Sequence, residues 1–248
     1  MRVIFALIAL WIGSTGYAMA QTGPSGSEPF AVVELFASEG CSSCPPADDL
    51  LRQITADAKS SGKNIYTLSF QVDYWNYLGW RDPFSSPQFS QRQQQYSNFL
   101  PGGVFTPEMI INGKEAFVGS DENKAKSTID HYLNQSPKNN MTLSLNQSSG
   151  DLKIDYTVPQ PDSNAVINFA IVERGLESHV TAGENSGSTL RHDNVVREFK
   201  TLDLNSAKGS ITFSKPQDAD LTRYSVIAFV QSKTDMSISA ASGIDLSN

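Results

Sequence analysis

The chain has 248 residues, with 26 acidic against 19 basic side chains and a formal net charge of −7. That balance repels phosphate backbones and anionic lipid, which argues against nucleic-acid binding and stable membrane association. Only two cysteines occur, too few for a scaffold that depends on a framework of disulfides.

Arg2 precedes an apolar run from Val3 to Ile12, which Gly13 to Gly16 break before the small-residue site Ala18-Met19-Ala20. Residues 1–20 therefore read as a secretory signal peptide, and the mature protein is expected in the periplasm or outside the cell, under oxidising conditions. FAVVELF (30–36) is apolar and β-branched enough for a buried strand, and EGCSSCPPADD (39–49) follows at once. Ala47, Leu50, Leu51, Ile54 and Ala58 recur at helical spacing up to Ser60-Ser61-Gly62. Residues before proline avoid the α region, so this helix is expected to begin at about Pro46.

NIYTLSF (64–70) reads as a second strand and VDYWNYLGWRDPF (72–84) as an aromatic loop. Ser85-Ser86-Pro87 opens a second helix whose apolar face is Phe89, Tyr96, Phe99 and Leu100. A hairpin follows, with a strand to Ile111, a turn at Asn112-Gly113 and a return strand to Val118. Ser120 is placed to cap a third helix carrying Ala125, Ile129, Tyr132 and Leu133. Strands alternating with helices predict a layered α/β domain over 28–135. QSPKNN (135–140) is polar and helix-breaking, and the linker is placed at 136–140. From 141 to 248 the strand patterns 141–145, 152–158, 165–173, 195–204, 210–214 and 223–231 predict an all-β, sandwich-like domain.

The chemistry concentrates at Cys41-Ser42-Ser43-Cys44. A bond across two residues closes a tiny loop and restrains the unfolded chain little, so a purely structural disulfide explains little. A C-x-x-C pair between a strand and a helix suits thiol–disulfide exchange, with an exposed first thiol and a second that resolves the mixed disulfide. Glu39, Asp48 and Asp49 put negative charge nearby, so only a modest lowering of the Cys41 pKa is expected.

With Thr106-Pro107 opening the hairpin, residues 30 to 135 resemble the thioredoxin superfamily. The segments VELFASEGCSSCPPADDLL, VDYWNYLGWRDPF and GENSGSTLRHDNVVREF resemble more closely a family of secreted bacterial proteins known as domain of unknown function 1223. These resemblances imply an α/β thioredoxin-like domain followed by an all-β sandwich-like domain. They imply a cis Pro107 against Cys41, shaping with Thr106 a groove for a partner's backbone. Glu34 becomes a candidate proton acceptor, although thioredoxins place their acid one residue closer to the cysteines. A histidine that often precedes the Val-Asp-Tyr-Trp run is Gln71 here.

Tyr74, Trp75, Trp80 and Phe105 are candidates for the groove wall, or else ordinary loop packing. No cofactor is expected, and the expected partner is a protein bearing a thiol or disulfide. Two alternatives stand beside exchange. The cysteines could bind or deliver Cu(I) or zinc, which needs further ligands such as His192, since His131, His179 and His192 are scattered. The protein could instead be a binding module that acts through the loop 183–196, a loop that under the redox reading covers the cysteines or holds the substrate.

Overall fold

The structure is a computed structural model that describes residues 21–22, 28–147, 150–216 and 220–247. The expected signal peptide, residues 1–20, lies outside the described residues. The elements run β1 (Gln21–Thr22), β2 (Ala31–Ala37), α1 (Pro45–Ser61), β3 (Ile65–Gln71), α2 (Pro87–Ser97), β4 (Glu108–Ile111), β5 (Glu115–Val118) and α3 (Glu122–Leu133). Then come β6 (Thr142–Gln147), β7 (Asp151–Thr157), β8 (Ala165–Glu173), β9 (Leu176–His179), β10 (Thr189–His192), β11 (Val195–Asp203), β12 (Lys208–Ser214), β13 (Tyr224–Ser232) and β14 (Ile238–Asp245).

This architecture overturns the expected fold class, an α/β thioredoxin-like domain followed by an all-β sandwich-like domain. The protein is mostly β, 39% strand against 21% helix, and its dominant layer is one mixed eight-stranded sheet. Its strand order, β14-β13-β8-β11-β3-β2-β4-β5, draws on both halves of the chain. The physical reason is a pairing that local periodicity does not encode. Val195 of β11 lies in parallel register with Ser69 of β3, and the Ser69 N–H donates to the Asn194 carbonyl at 2.9 Å. β2 and β3 are also parallel, whereas β2–β4, β4–β5, β8–β11, β8–β13 and β13–β14 are antiparallel.

Three apolar layers hold this sheet. The four-stranded sheet β1-β6-β7-β12 packs Leu152, Ile154 and Phe213 against Ile167, Phe169 and Val226 of β8 and β13. On the opposite face of the large sheet, Phe36, Phe70, Phe199 and Phe229 form a layer with Phe89 and Tyr96 of α2. The third layer joins Ala31, Val33, Leu35 and Ala37 of β2 to Leu50 and Leu51 of α1, to Ala125 and Ile129 of α3, and to both cysteines. Every residue of β2 is buried, so its side chains enter two different layers alternately. Burying an aliphatic side chain is worth about 1.5–3 kcal/mol, which makes β2 the spine of this half.

Local signals account for most element ends. Ser86 caps α2 by accepting the Gln88 N–H, and α1 stops at Gly62 in the left-handed region. The α3 cap is Asp121, whose carboxylate accepts the Lys124 N–H, and not the expected Ser120. Asn112 and Gly113 both take positive φ in the hairpin turn, as that two-residue connection requires. α1 begins at Pro45, with Cys44 at helical angles although it precedes a proline. The Cys44 carbonyl accepts the Ala47 and Asp48 N–H groups, which repays that local cost.

Candidate functional site

β2 delivers the chain to a tight turn. The Cys41 N–H donates to the Ser38 carbonyl at 3.1 Å and the Cys44 N–H to the Cys41 carbonyl at 3.2 Å, so both cysteines sit where β2 hands over to α1. They are joined in a disulfide. Neither is exposed, at 0% each, so the expectation of an exposed Cys41 is corrected. The cysteines pack among β2, α1 and Trp75, and the β9–β10 hairpin is hydrogen-bonded to their turn. Asn185 donates from its side-chain amide to the carbonyls of Glu39 (2.8 Å) and Cys41 (3.0 Å). The Glu184 carboxylate accepts the Ser42 N–H at 3.1 Å. The loop 183–196 thus lies against the cysteine turn.

Beneath the turn is a cluster of buried charges. Glu39 accepts from Trp80 Nε1 (2.8 Å) and His192 Nε2 (3.2 Å), while its own N–H donates to Asp82 Oδ2 (2.8 Å). His192 Nδ1 lies 3.3 Å from Asp48 Oδ1, at ion-pair distance but without hydrogen-bond geometry. Burial opposes the imidazolium, yet the carboxylates of Asp48 and Glu39 outweigh it and push the His192 pKa up to about 10. Burial likewise opposes charge on Glu39, but hydrogen bonds from His192, Ser178 and Trp80 hold its carboxyl below the ordinary value. Asp82 is pushed up to about 6 by burial and, secondarily, by the charge of Glu39. The negative charge that the sequence sets beside Cys41 is therefore matched in part by a cation 148 positions beyond Cys44 in the chain.

The aromatic loop joins the cysteine turn to the start of β4. A Cβ on Gly40 would stand 3.0 Å from Trp75 Cβ, so a side chain there would press on the aromatic loop. Trp75 packs against the cysteine layer and donates from Nε1 to Thr106 Oγ1 at 2.7 Å. Thr106–Pro107 is a cis peptide bond. Gly119 lies between Pro107 and Ala47 of α1, whose Cβ atoms would each stand 3.2 Å from a Cβ there. Tyr74 donates to Gln93 Oε1 (3.1 Å), and Gln93 donates to the Phe105 carbonyl and to Glu108 Oε2, both at 2.7 Å. Burial pushes the Glu108 carboxyl up to about 7. Tyr77, 80% exposed, and Val104 and Val118 leave apolar surface in the aromatic loop, before Thr106 and on β5.

Glu34 lies elsewhere. On β2 it alternates with Val33 and Leu35 of the cysteine layer and so points to the α2 face. There Arg92 binds it through Nε (2.6 Å) and Nη2 (3.0 Å), and the Tyr96 hydroxyl makes a very short hydrogen bond to the same carboxylate. Gln71 is buried and donates to Ser69 Oγ. His131 and His179 are exposed on α3 and β9, and among the described residues no three His, Cys, Asp or Glu side chains are grouped to hold a metal ion. No helix among the described residues is long and apolar enough to cross a membrane. Asn185 and Glu184 carried no distinctive signal in sequence beyond their Gly- and Asn-rich loop.

The fold and site define a mostly β protein with a buried C-x-x-C disulfide whose turn is hydrogen-bonded to a hairpin from its second half. Residues 32–231 match the family described as "Protein of unknown function (DUF1223)", and the chain belongs to that family. A protein from Agrobacterium tumefaciens, known from an X-ray crystal structure, is 26% identical with a TM-score of 0.65, over 88% of this chain and 94% of that one. A search of curated proteins found no match.

Proposed function

We propose that the protein exchanges thiols and disulfides with an exported protein partner through Cys41 and Cys44. The observation that carries this reading is the disulfide itself, spanning two residues at the mouth of α1. Such a short bridge restrains little of the unfolded chain, so stabilisation is a poor account of it. Its position at a helix N-terminus favours the thiolate that exchange requires. The signal-peptide pattern and the disulfide are compatible with an oxidising compartment.

In the proposed reaction, a partner thiolate attacks Cys41 Sγ. The Cys41–Cys44 bond breaks, a mixed disulfide forms, and Cys44 leaves as a thiolate that takes a proton. The partner's second thiolate then attacks its own sulfur in the mixed disulfide. Cys41 leaves as a thiolate and is protonated, and two electrons and two protons have passed from the partner dithiol to the cysteine pair. The reverse sequence oxidises the partner. Trp75 and Thr106 position the two sides of the site, and Tyr74, Trp80, Phe105 and Pro107 frame the surface on which a partner segment lies. A link to the thioredoxin superfamily enters only through this motif chemistry. Glu34, bound to Arg92, is assigned to holding the sheet and α2 together.

The test is equilibration of the mature chain with glutathione and dithiothreitol. A reversible two-electron couple between about −120 and −270 mV, the range of dedicated exchange proteins, is expected. A pair that never reopens under either reductant overturns the reading.

A further inference from the structure

We propose that the β9–β10 hairpin is a lid that must lift from the Cys41–Cys44 disulfide before any thiol can attack it, with Asn185 as its latch. The purpose of such a lid rests on the exchange reading above. Attack on a disulfide needs an open line to one sulfur, yet both cysteines are fully buried. The hairpin is no part of the large sheet. β9 and β10 pair with each other alone, as a two-stranded sheet outside the eight-stranded one. The hairpin leaves and re-enters between β8 and β11, which are antiparallel neighbours. Both ends of this excursion turn through left-handed backbone, Gly175 at φ 64° and Asn194 at φ 49°.

Base and tip are held differently. At the base, Asp193 accepts the Gly175 N–H at 2.6 Å and His192 is clasped by Glu39 and Asp48. At the tip, the turn closes on itself through Val180, Gly187 and Ser188 backbone bonds. Its attachments over the cysteines are the two Asn185 hydrogen bonds, the Glu184 bond to Ser42 and the contact of Gly183 with Trp80. Glu184, Ser186, Gly187 and Ser188 are exposed. Between the buried Val180 and Leu190, Asn185 is the one buried residue of the tip, and a segment with so few buried side chains has low local stability. The tip therefore opens while the base stays shut, and a partner that competes for the Glu39 and Cys41 carbonyls would hold it open.

The experiment follows reduction of the oxidised full-length mature chain by dithiothreitol, read as free thiol against time, for the native protein, Asn185→Ala and Glu184→Gln. Asn185→Ala is expected to be reduced about tenfold faster than the native chain, as loss of two hydrogen bonds from the closed state allows, and Glu184→Gln at a rate between them. Equal rates for all three overturn the lid. Glu184 is exposed, so its variant tests the lid even where Asn185→Ala does not fold. Equilibrating the faster variant with glutathione separates the two ideas. A fast but non-reversible reduction sinks exchange and leaves the lid standing, whereas a reversible couple with unchanged rates does the opposite.

Discussion

Two buried charge clusters flank the strand β2 and its end, and they differ in kind. On the α2 face, Glu34 meets Arg92 in a two-pronged pair, with Tyr96 and Gln231 closing the remaining positions. The guanidinium also stands over Phe199 at 4.9 Å and Tyr96 at 5.1 Å. Arg92 and Tyr96 are both pushed upward, Arg92 because Glu34 outweighs its burial and Tyr96 chiefly by burial, so neither titrates near neutral pH. Beneath the cysteines, His192, Glu39, Asp48 and Asp82 are assembled from three distant segments and include groups that titrate between about pH 6 and 10. The first cluster fastens a helix to a sheet. The second ties the base of the β9–β10 hairpin to the cysteine turn.

The largest effect that separates the clusters is loss of Arg92. Arg92→Ala leaves the Glu34 carboxylate buried and unpaired, and is expected to cost about 3–5 kcal/mol in urea unfolding. Replacing both partners, Glu34→Leu with Arg92→Met, should cost less than that single change. An equal or greater loss in the double variant would break the contrast, because it would mean that specific charge, and not pairing, sustains this layer.

Next comes His192→Ala, expected to cost about 2–3 kcal/mol by stranding Glu39 next to Asp82. His192→Gln should recover part of this by donating to Glu39. If the Arg92 variant leaves the dithiothreitol reduction rate near native while His192→Ala raises it, the division of labour between the clusters is sharpened. Equal effects on that rate would remove it.

The pH dependence gives a third comparison. The His192 pKa is raised on folding, from 6.5 to about 10, so its contribution is fully present below pH 6.5 and is lost as pH rises towards 10. Native stability should therefore fall over that window, and the fall should shrink in His192→Gln. Asp82 is also raised, from 3.8 to about 6, so its proton-linked stability is present below pH 3.8 and lost as pH rises through 6. The smallest effect expected is that of Asp82→Asn. It forfeits one of the two N–H bonds to Glu39 and Phe84, about 1 kcal/mol at neutral pH, and should flatten stability between pH 4 and 6.

The sequence made the two halves unequally legible. β2, α1, β3, α2 and the β4–β5 hairpin carry strong local marks, namely an apolar run, helical periodicity, Ser86-Pro87 and Asn112-Gly113. β14 was missed because ISAASGID has few β-branched or aromatic residues. Its Gly243 packs at Tyr66, where a Cβ would stand 3.0 Å from the ring. β9 and β10 were missed because the four-residue segments LESH and TLRH are short and pair only with each other. The cysteine pair was evident at once, but Asn185 was not, since a hydrogen bond to two carbonyls 144 and 146 positions away leaves no local pattern.

By itself the sequence determined the strands and helices that announce themselves locally, the C-x-x-C motif and the acidic balance, because each depends on neighbouring residues or on composition. Only the tertiary structure decided that β11 joins β3 into one sheet, that Glu34 faces away from the cysteines, and that His192 and Asn185 converge on them. Those outcomes depend on which surfaces meet across long stretches of chain, where strand pairing and burial choose partners that no local periodicity specifies.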